Sequence, residues 1–181
     1  MGSRIEITWL AFLLRAEPKT GDRDKFREYT KSWLNPAEQE PDTRFTVWAS
    51  QEDQPSSSIP AHVAHKAVSL VASERTMDFH HRLLRAYFTE NRNIADSEVL
   101  LELVQDIRVD RDAVAEVATT RRDELTQAVI DEHNLAQQNQ VTAVPTVMFE
   151  GTFPVPGAQP VESYRRIIQR IEEHKAAQAT D

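Results

Sequence analysis

Residues 58–139 form one long block of helical patterning, and a chain must fold around such a block. Apolar residues recur there at spacings of three and four. The first stripe is Val63, Ala67, Leu70 and Val71, and the second is Met77, Leu83, Leu84, Tyr87 and Phe88. Next come Val99, Leu100, Leu103 and Val104, then Val114 with Val117, and last Leu125, Val129, Ile130 and Leu135. Ser58 is the expected N-cap of the first helix, with Pro60 just inside it. Asp96 and Asp110 are placed to cap the third and fourth. Five amphipathic helices joined by short polar links predict antiparallel helical hairpins.

The flanks read differently. Residues 5–10 (Ile, Glu, Ile, Thr, Trp, Leu) are rich in β-branched and aromatic side chains and predict a strand. Residues 22–34 predict a short helix carrying Phe26, Tyr29 and Trp33, stopped by Pro36. Residues 36–58 hold Pro, Ser, Asp and Gln and read as loop, anchored by the apolar stretch from Phe45 to Trp48. After Val141, residues 144–149 and 152–155 predict two strands joined by a tight turn at Glu150-Gly151. A terminal helix follows Gly157 and Pro160, with Tyr164, Ile167, Ile168 and Ile171 on one face and its end, from Ala176, frayed. The expected divisions are 1–57, 58–139 and 140–181.

Not one of the 181 residues is a cysteine. That excludes disulfides, a thiolate nucleophile, a Cys-x-x-Cys pair and any sulfur-based zinc site. With 40% hydrophobic and 28% charged residues the composition is globular. The net charge of −8 and the absence of any run of Lys and Arg argue against nucleic acid or an anionic membrane as partner. No apolar run approaches the roughly 20 residues that span a bilayer. The apolar run from Trp9 to Leu14 is too short for a secretory signal, so a cytoplasmic location is expected.

Three constellations invite chemistry. His62 and His65 lie near His80-His81 in sequence, but no third ligand has metal-site spacing, and no metal is expected. Trp9, Trp33, Trp48, Tyr87 and Phe88 are candidates for a ligand cleft, although aromatics at such spacing more often build core. Asp131-Glu132-His133 holds acid–base groups, but consecutive helical residues do not converge. Four glycines leave no phosphate loop or dinucleotide fingerprint.

The C-terminal run Val141-Thr142-Ala143-Val144-Pro145-Thr146-Val147-Met148-Phe149-Glu150-Gly151 resembles the V-P-T hairpin of DsbA-like thioredoxin-fold proteins. Val155-Pro156-Gly157-Ala158-Gln159-Pro160 is similar to their step into the last helix. Leu83-Leu84-Arg85-Ala86-Tyr87-Phe88-Thr89-Glu90, followed by Asn93-Ile94-Ala95-Asp96, resembles part of their helical insert. The nearest branch in these motifs is the cytoplasmic FrnE-like one, whose strand after the first helix is similar to Trp9-Leu10-Ala11-Phe12-Leu13-Leu14. The resemblance implies an α/β thioredoxin-like fold with an all-helical insertion.

It also implies a departure. The family's catalytic dithiol sits on a first strand–helix unit, and the chain is expected to lack that unit. So are the serine-bearing isomerase and glutathione-transferase relatives' site residues. No catalytic residue and no cofactor therefore carry over. What carries over is the loop Ala143, Val144, Pro145 and Thr146, with a cis proline and a backbone edge for an extended or unfolded polypeptide. The alternative reading of Pro145, ranked below the cis loop, is a strand-starting proline at a sheet edge. The expected function is a DsbA/FrnE-type oxidoreductase relative that is redox-inactive. Its alternatives are a peptide-binding or scaffolding protein using the Val144-Pro145 groove, or a truncated 2-hydroxychromene-2-carboxylate isomerase or kappa-class glutathione transferase. A gap in the sheet would leave open strand edges and favour homo-oligomers.

Overall fold

The computed structural model describes residues 5–39 and 44–178. They divide into two compact units, residues 1–134 and 135–181. The first unit begins with residues 5–15, which have no regular secondary structure and bend at Leu14. Helix α1 (Arg23–Thr30) follows, then a 3-10 turn (Lys31–Trp33) and α2 (Leu34–Gln39). After a loop come α3 (Ile59–Val71), α4 (Thr76–Phe88), α5 (Ser97–Asp106), α6 (Arg111–Thr120) and α7 (Arg122–Gln138).

Helix starts follow the caps. Asp22 Oδ1 accepts from Asp24 and Lys25, Asp96 Oδ1 from Glu98 and Val99, and Asp110 Oδ1 from Asp112 and Ala113. Each satisfies amides that the first turn leaves without partners. Ser58 departs from expectation. It stands at the N-cap of α3 but makes no capping bond, because its Oγ accepts from the Arg15 N–H; Ser57 Oγ takes the Ile59 N–H instead. Pro36 also departs. It lies in the first turn of α2, where its missing N–H interrupts no helical bond, so the helix continues to Gln39.

The expected strand over residues 5–10 is not formed. The backbone has no regular secondary structure there, since a strand needs a neighbour to make a ladder. Among the described residues the only strand pair lies in the second unit. Beyond residue 10, the alternate amides of Ala11, Leu13 and Arg15 are taken up by side chains of Glu132, His133 and Ser58.

Two apolar clusters hold the first unit. The larger one gathers Val63, Ala67 and Val68 of α3, Phe79, Leu83 and Ala86 of α4, Leu103 and Val104 of α5, Val114 of α6, and Leu125 and Val129 of α7. Ala11 and Leu13 of the extended segment close it. The smaller cluster is aromatic: Phe26, Trp33 and Trp48 are buried, and Phe45, Tyr87 and Phe88 pack against them. Tyr29, on the predicted face of α1, is 62% exposed despite stacking on Phe26. The loop bearing Trp48 is tied to the end of α4 by Thr46 N–H to Phe88 O and by Ala49 N–H to Asn91 Oδ1.

The second unit is a hairpin and a helix. Strands β1 (Thr146–Phe149) and β2 (Phe153–Pro156) pair antiparallel, Thr146 opposite Pro156 and Phe149 opposite Phe153. Glu150 (φ 51°) and Gly151 (φ 71°) are both left-handed, and Thr152 N–H closes on Phe149 O. Two successive positive φ values are what a I′ hairpin turn demands. Helix α8 (Val161–Gln178) follows; Tyr164 meets Phe149, and Lys175 Nζ lies 2.7 Å from Glu150. The frayed end expected from Ala176 is helical to Gln178, and residues 179–181 lie outside those described.

Phe79 has no exposed surface at the centre of the larger cluster. Phe79→Ala is expected to cost about 3–5 kcal/mol in urea denaturation, and Asp110→Ala about 1 kcal/mol through loss of its cap.

Candidate functional site

The C-terminus of α7 sets up the loop that leads to Val144. Gln140 adopts φ 60°, its N–H bonds Gln137 O, and Val141 N–H reaches back to Ala136 O. This is a Schellman ending, built on glutamine where glycine is usual. It satisfies the last carbonyls and turns the chain out of the helix. The Val144–Pro145 peptide bond is cis. Thr146 Oγ donates to Ala143 O at 2.7 Å, and Gly157 N–H donates to Pro145 O at 2.8 Å, so the loop is braced on both sides of the proline.

Ala143, Val144 and Pro145 are exposed, with Val144 at 45%. Within the described residues 135–178, the Val144 N–H and C=O make no hydrogen bond. The four predicted loop residues are therefore contiguous and present the N–H and the C=O of Val144 without a partner among the described residues of this unit. They bring no acid, base or nucleophile. Their one hydroxyl is committed to Ala143. Such a loop can recognise a backbone but cannot do covalent chemistry.

The other constellations resolve individually. Trp33, Trp48, Tyr87 and Phe88 are packed into the aromatic core, with Trp33 and Phe88 rings 4.9 Å apart. Trp9 lies elsewhere, its ring 4.4 Å from that of His80. They line no common cleft. Among the described residues no group of three or more His, Cys, Asp or Glu side chains could hold a metal ion. His62, His65 and His80 form a half-buried group between α3 and α4. Burial lowers all three from the ordinary histidine range. His65 falls to about 4, aided by His80, His62 and Lys66.

Glu132 and His133 stand out in the sequence as acid–base groups and were set aside there because consecutive helical residues do not converge on one point. They instead converge on a backbone edge. Glu132 accepts from Ala11 N–H at 2.8 Å and His133 Nδ1 from Leu13 N–H at 3.2 Å. Lys66 Nζ binds the other Glu132 oxygen at 2.5 Å. A second feature invisible in sequence is a hollow of about 490 Å³ lined by Glu52, Asp53, Arg92, Asp96, Glu98 and Glu102. Its acids are already engaged: Glu52 and Glu102 with Arg92, Asp53 with Arg23, Glu98 with Arg111, and Asp96 as a cap.

The three depressed histidines set a pH dependence. Neutral in the fold but readily protonated when unfolded, they let the unfolded state bind more protons below its own range near 6.5. Their stabilising share is complete above that pH and is lost as pH falls towards about 4. Thermal unfolding followed by circular dichroism should show a Tm flat above pH 6.5 and falling below it. His65→Gln should flatten the slope.

The chain matches the model of the DSBA-like thioredoxin domain over residues 3–169. No curated protein matches it. Solved structures do. A provisionally assigned protein disulfide isomerase from Nitrosomonas europaea aligns at 18% identity with a TM-score of 0.74, covering 88% of this chain and 79% of that one. The cytosolic disulfide reductase DsbM from Pseudomonas aeruginosa aligns at 17% identity with a TM-score of 0.64, covering 88% and 82%. The thiol-disulfide exchange protein alpha-DsbA2 from Wolbachia pipientis aligns at 16% and 0.54, covering 88% and 81%. The helical block, the V-P-T hairpin and the last helix are thus those of one known fold, and this chain belongs to the DSBA-like thioredoxin domain family.

Proposed function

We propose that this chain is a redox-silent member of the family, in the cytoplasmic FrnE-like branch, which holds extended polypeptide at the Val144–Pro145 loop without exchanging disulfides. The observation that carries this reading is the pairing of two facts. The loop keeps a braced, exposed backbone edge, while the chain has no thiol anywhere. Thiol–disulfide exchange requires a thiolate to attack and a second sulfur to leave. Backbone pairing needs neither, since an extended peptide adds to a free edge by main-chain hydrogen bonds. The cytosolic DsbM among its structural neighbours supports the compartment.

A second open edge supports self-association. Among the described residues of 5–39 and 44–134 the N–H groups of Leu10, Phe12 and Leu14 find no hydrogen-bond acceptor. Ile7 is 70% exposed beside them. Unpaired edges with apolar side chains template pairing with another chain. Sedimentation velocity at rising concentration should show a dimer, and a monomer throughout would remove this part of the reading.

The main test uses reduced, carboxymethylated α-lactalbumin as an unfolded probe. Fluorescence anisotropy should show saturable binding, and insulin reduction should stay at the buffer rate. Val144→Pro removes the free N–H and should weaken binding about tenfold, as expected for one hydrogen bond left unmade. No saturable binding, or full binding by the variant, would sink the reading.

A further inference from the structure

The hairpin of the second unit has one open edge and one closed edge. Gly157 N–H bonds Pro145 O at 2.8 Å, and the register runs on from there with Val147 opposite Val155 and Phe149 opposite Phe153. Antiparallel partners alternate between pairs that exchange both bonds and pairs that exchange none. Val147 and Phe149 therefore turn their backbone groups to β2, and those of Thr146 and Met148 point outward. No hydrogen bond within the described residues 135–178 takes up these N–H and C=O groups, nor those of Val144 just before them.

The outer side of β2 is built the opposite way. Its outward positions are Pro154 and Pro156, opposite Met148 and Thr146. Proline has no N–H to offer, and an edge strand that carries it resists further pairing. Pro156 O is also taken, by Gln159 Nε2 at 2.9 Å. A further strand can add to β1, while β2 offers it no donor.

Two observations say what kind of strand fits. Val147, Phe149, Phe153 and Val155 share one face by register, and Phe149 meets Tyr164 of α8. Yet Val147 is 37% and Phe153 54% exposed, and none of the described residues 135–178 is buried. A lone two-stranded hairpin is marginal in water and gains from a third strand. Such a strand beside β1 would lay alternate side chains next to Val147 and Phe149. Charge supplies the second observation. In a chain of net charge −8, residues 140–149 and 152–161 hold no charged side chain at all. A charge laid against this edge would lose water without gaining a partner.

We propose that the outer edge of β1 is a strand-docking site, where an uncharged extended segment of another polypeptide adds as a third strand on Val144, Thr146 and Met148. This rests on the reading of the Val144–Pro145 loop given above and extends it from Val144 alone to a whole edge. The segment presents an N–H at each position facing β1, so proline is excluded there. β-branched and aromatic residues are favoured at the positions beside Val147.

The probe is a fluorescein-labelled heptapeptide amide of alternating serine and valine, titrated by anisotropy and followed by NMR amide exchange on the full chain. Without peptide, the Val147 amide should be protected and those of Thr146 and Met148 should exchange freely. Saturating peptide should slow Thr146 and Met148 at least tenfold. Met148→Pro removes one outward donor, as Pro154 does across the ladder, and spares the bonds to β2. It should weaken peptide binding about tenfold, as expected for one hydrogen bond left unmade. The exchange measurement on the unaltered chain decides the matter even where that variant folds poorly. Protection gained at Val144 alone, with Met148→Pro binding as tightly as the unaltered chain, would overturn the docking edge and leave the loop reading standing. No binding of the peptide by a chain that still binds unfolded α-lactalbumin would overturn it as well. Loss of both ligands would sink the two readings together. Protection of Thr146 and Met148 that rises with protein concentration and needs no peptide would overturn the choice of partner, since a second copy would then hold the edge.

Discussion

The backbone edge at Ala11, Leu13 and Arg15 is the constraint on which the first unit depends. An extended segment that closes an apolar core must have its amides satisfied, for an unpaired buried N–H costs on the order of 1–3 kcal/mol. A neighbouring strand would normally do this. Here α7 and the start of α3 do it with side chains, and the Glu132–Lys66 pair ties the two helices together at the same place. Only 20% and 23% of those side chains is exposed, so the pair is shielded while Glu132 also holds the Ala11 N–H. Ala11 and Leu13 can lie over Val63, Val68 and Val129 because their polar backbone has been answered from the side.

From that seal the rest of the unit follows by ordinary packing. Small residues on α3, Ala61, Ala64 and Ala67, let it approach its neighbours closely, and Phe79 fills the space between. The aromatic cluster is a second, independent solution: Trp48 is fully buried from a loop, and the loop keeps its place through the Thr46 and Asn91 bonds to the end of α4. Arg15 links the two clusters, with its guanidinium over the Phe26 ring and one nitrogen on Pro55 O.

Legibility tracked locality. Asp96 and Asp110 could be read as caps because capping bonds span two or three residues. The Glu150-Gly151 turn was legible for the same reason. The strand at residues 5–10 was misread because β-branched composition reports an extended backbone, whereas a strand also needs a partner that composition cannot see. Leu70, Met77, Leu84 and Leu135 lie on predicted apolar stripes yet are 38–50% exposed, since periodicity names a face without saying how much of it a neighbour covers. The role of Glu132 and His133 could not be read because their target is a main chain some 120 residues away, and backbone leaves no signature in side-chain spacing.

The functional argument turns on what a thioredoxin-type scaffold can do once sulfur is removed. Its chemistry is separable from its recognition. Attack and release need a thiolate of tuned pKa, and no arrangement of the remaining side chains replaces one. Recognition of an extended chain needs only a peptide group held still and left unpaired. The Schellman turn after α7, the Thr146–Ala143 bond and the Gly157–Pro145 bond hold the Val144 group still, and nothing within its unit pairs with it. The same logic applies to the arm at residues 9–15, whose outer amides are free while its inner ones are held. In both places one side of the main chain is satisfied while the opposite side is left without a hydrogen bond among the described residues.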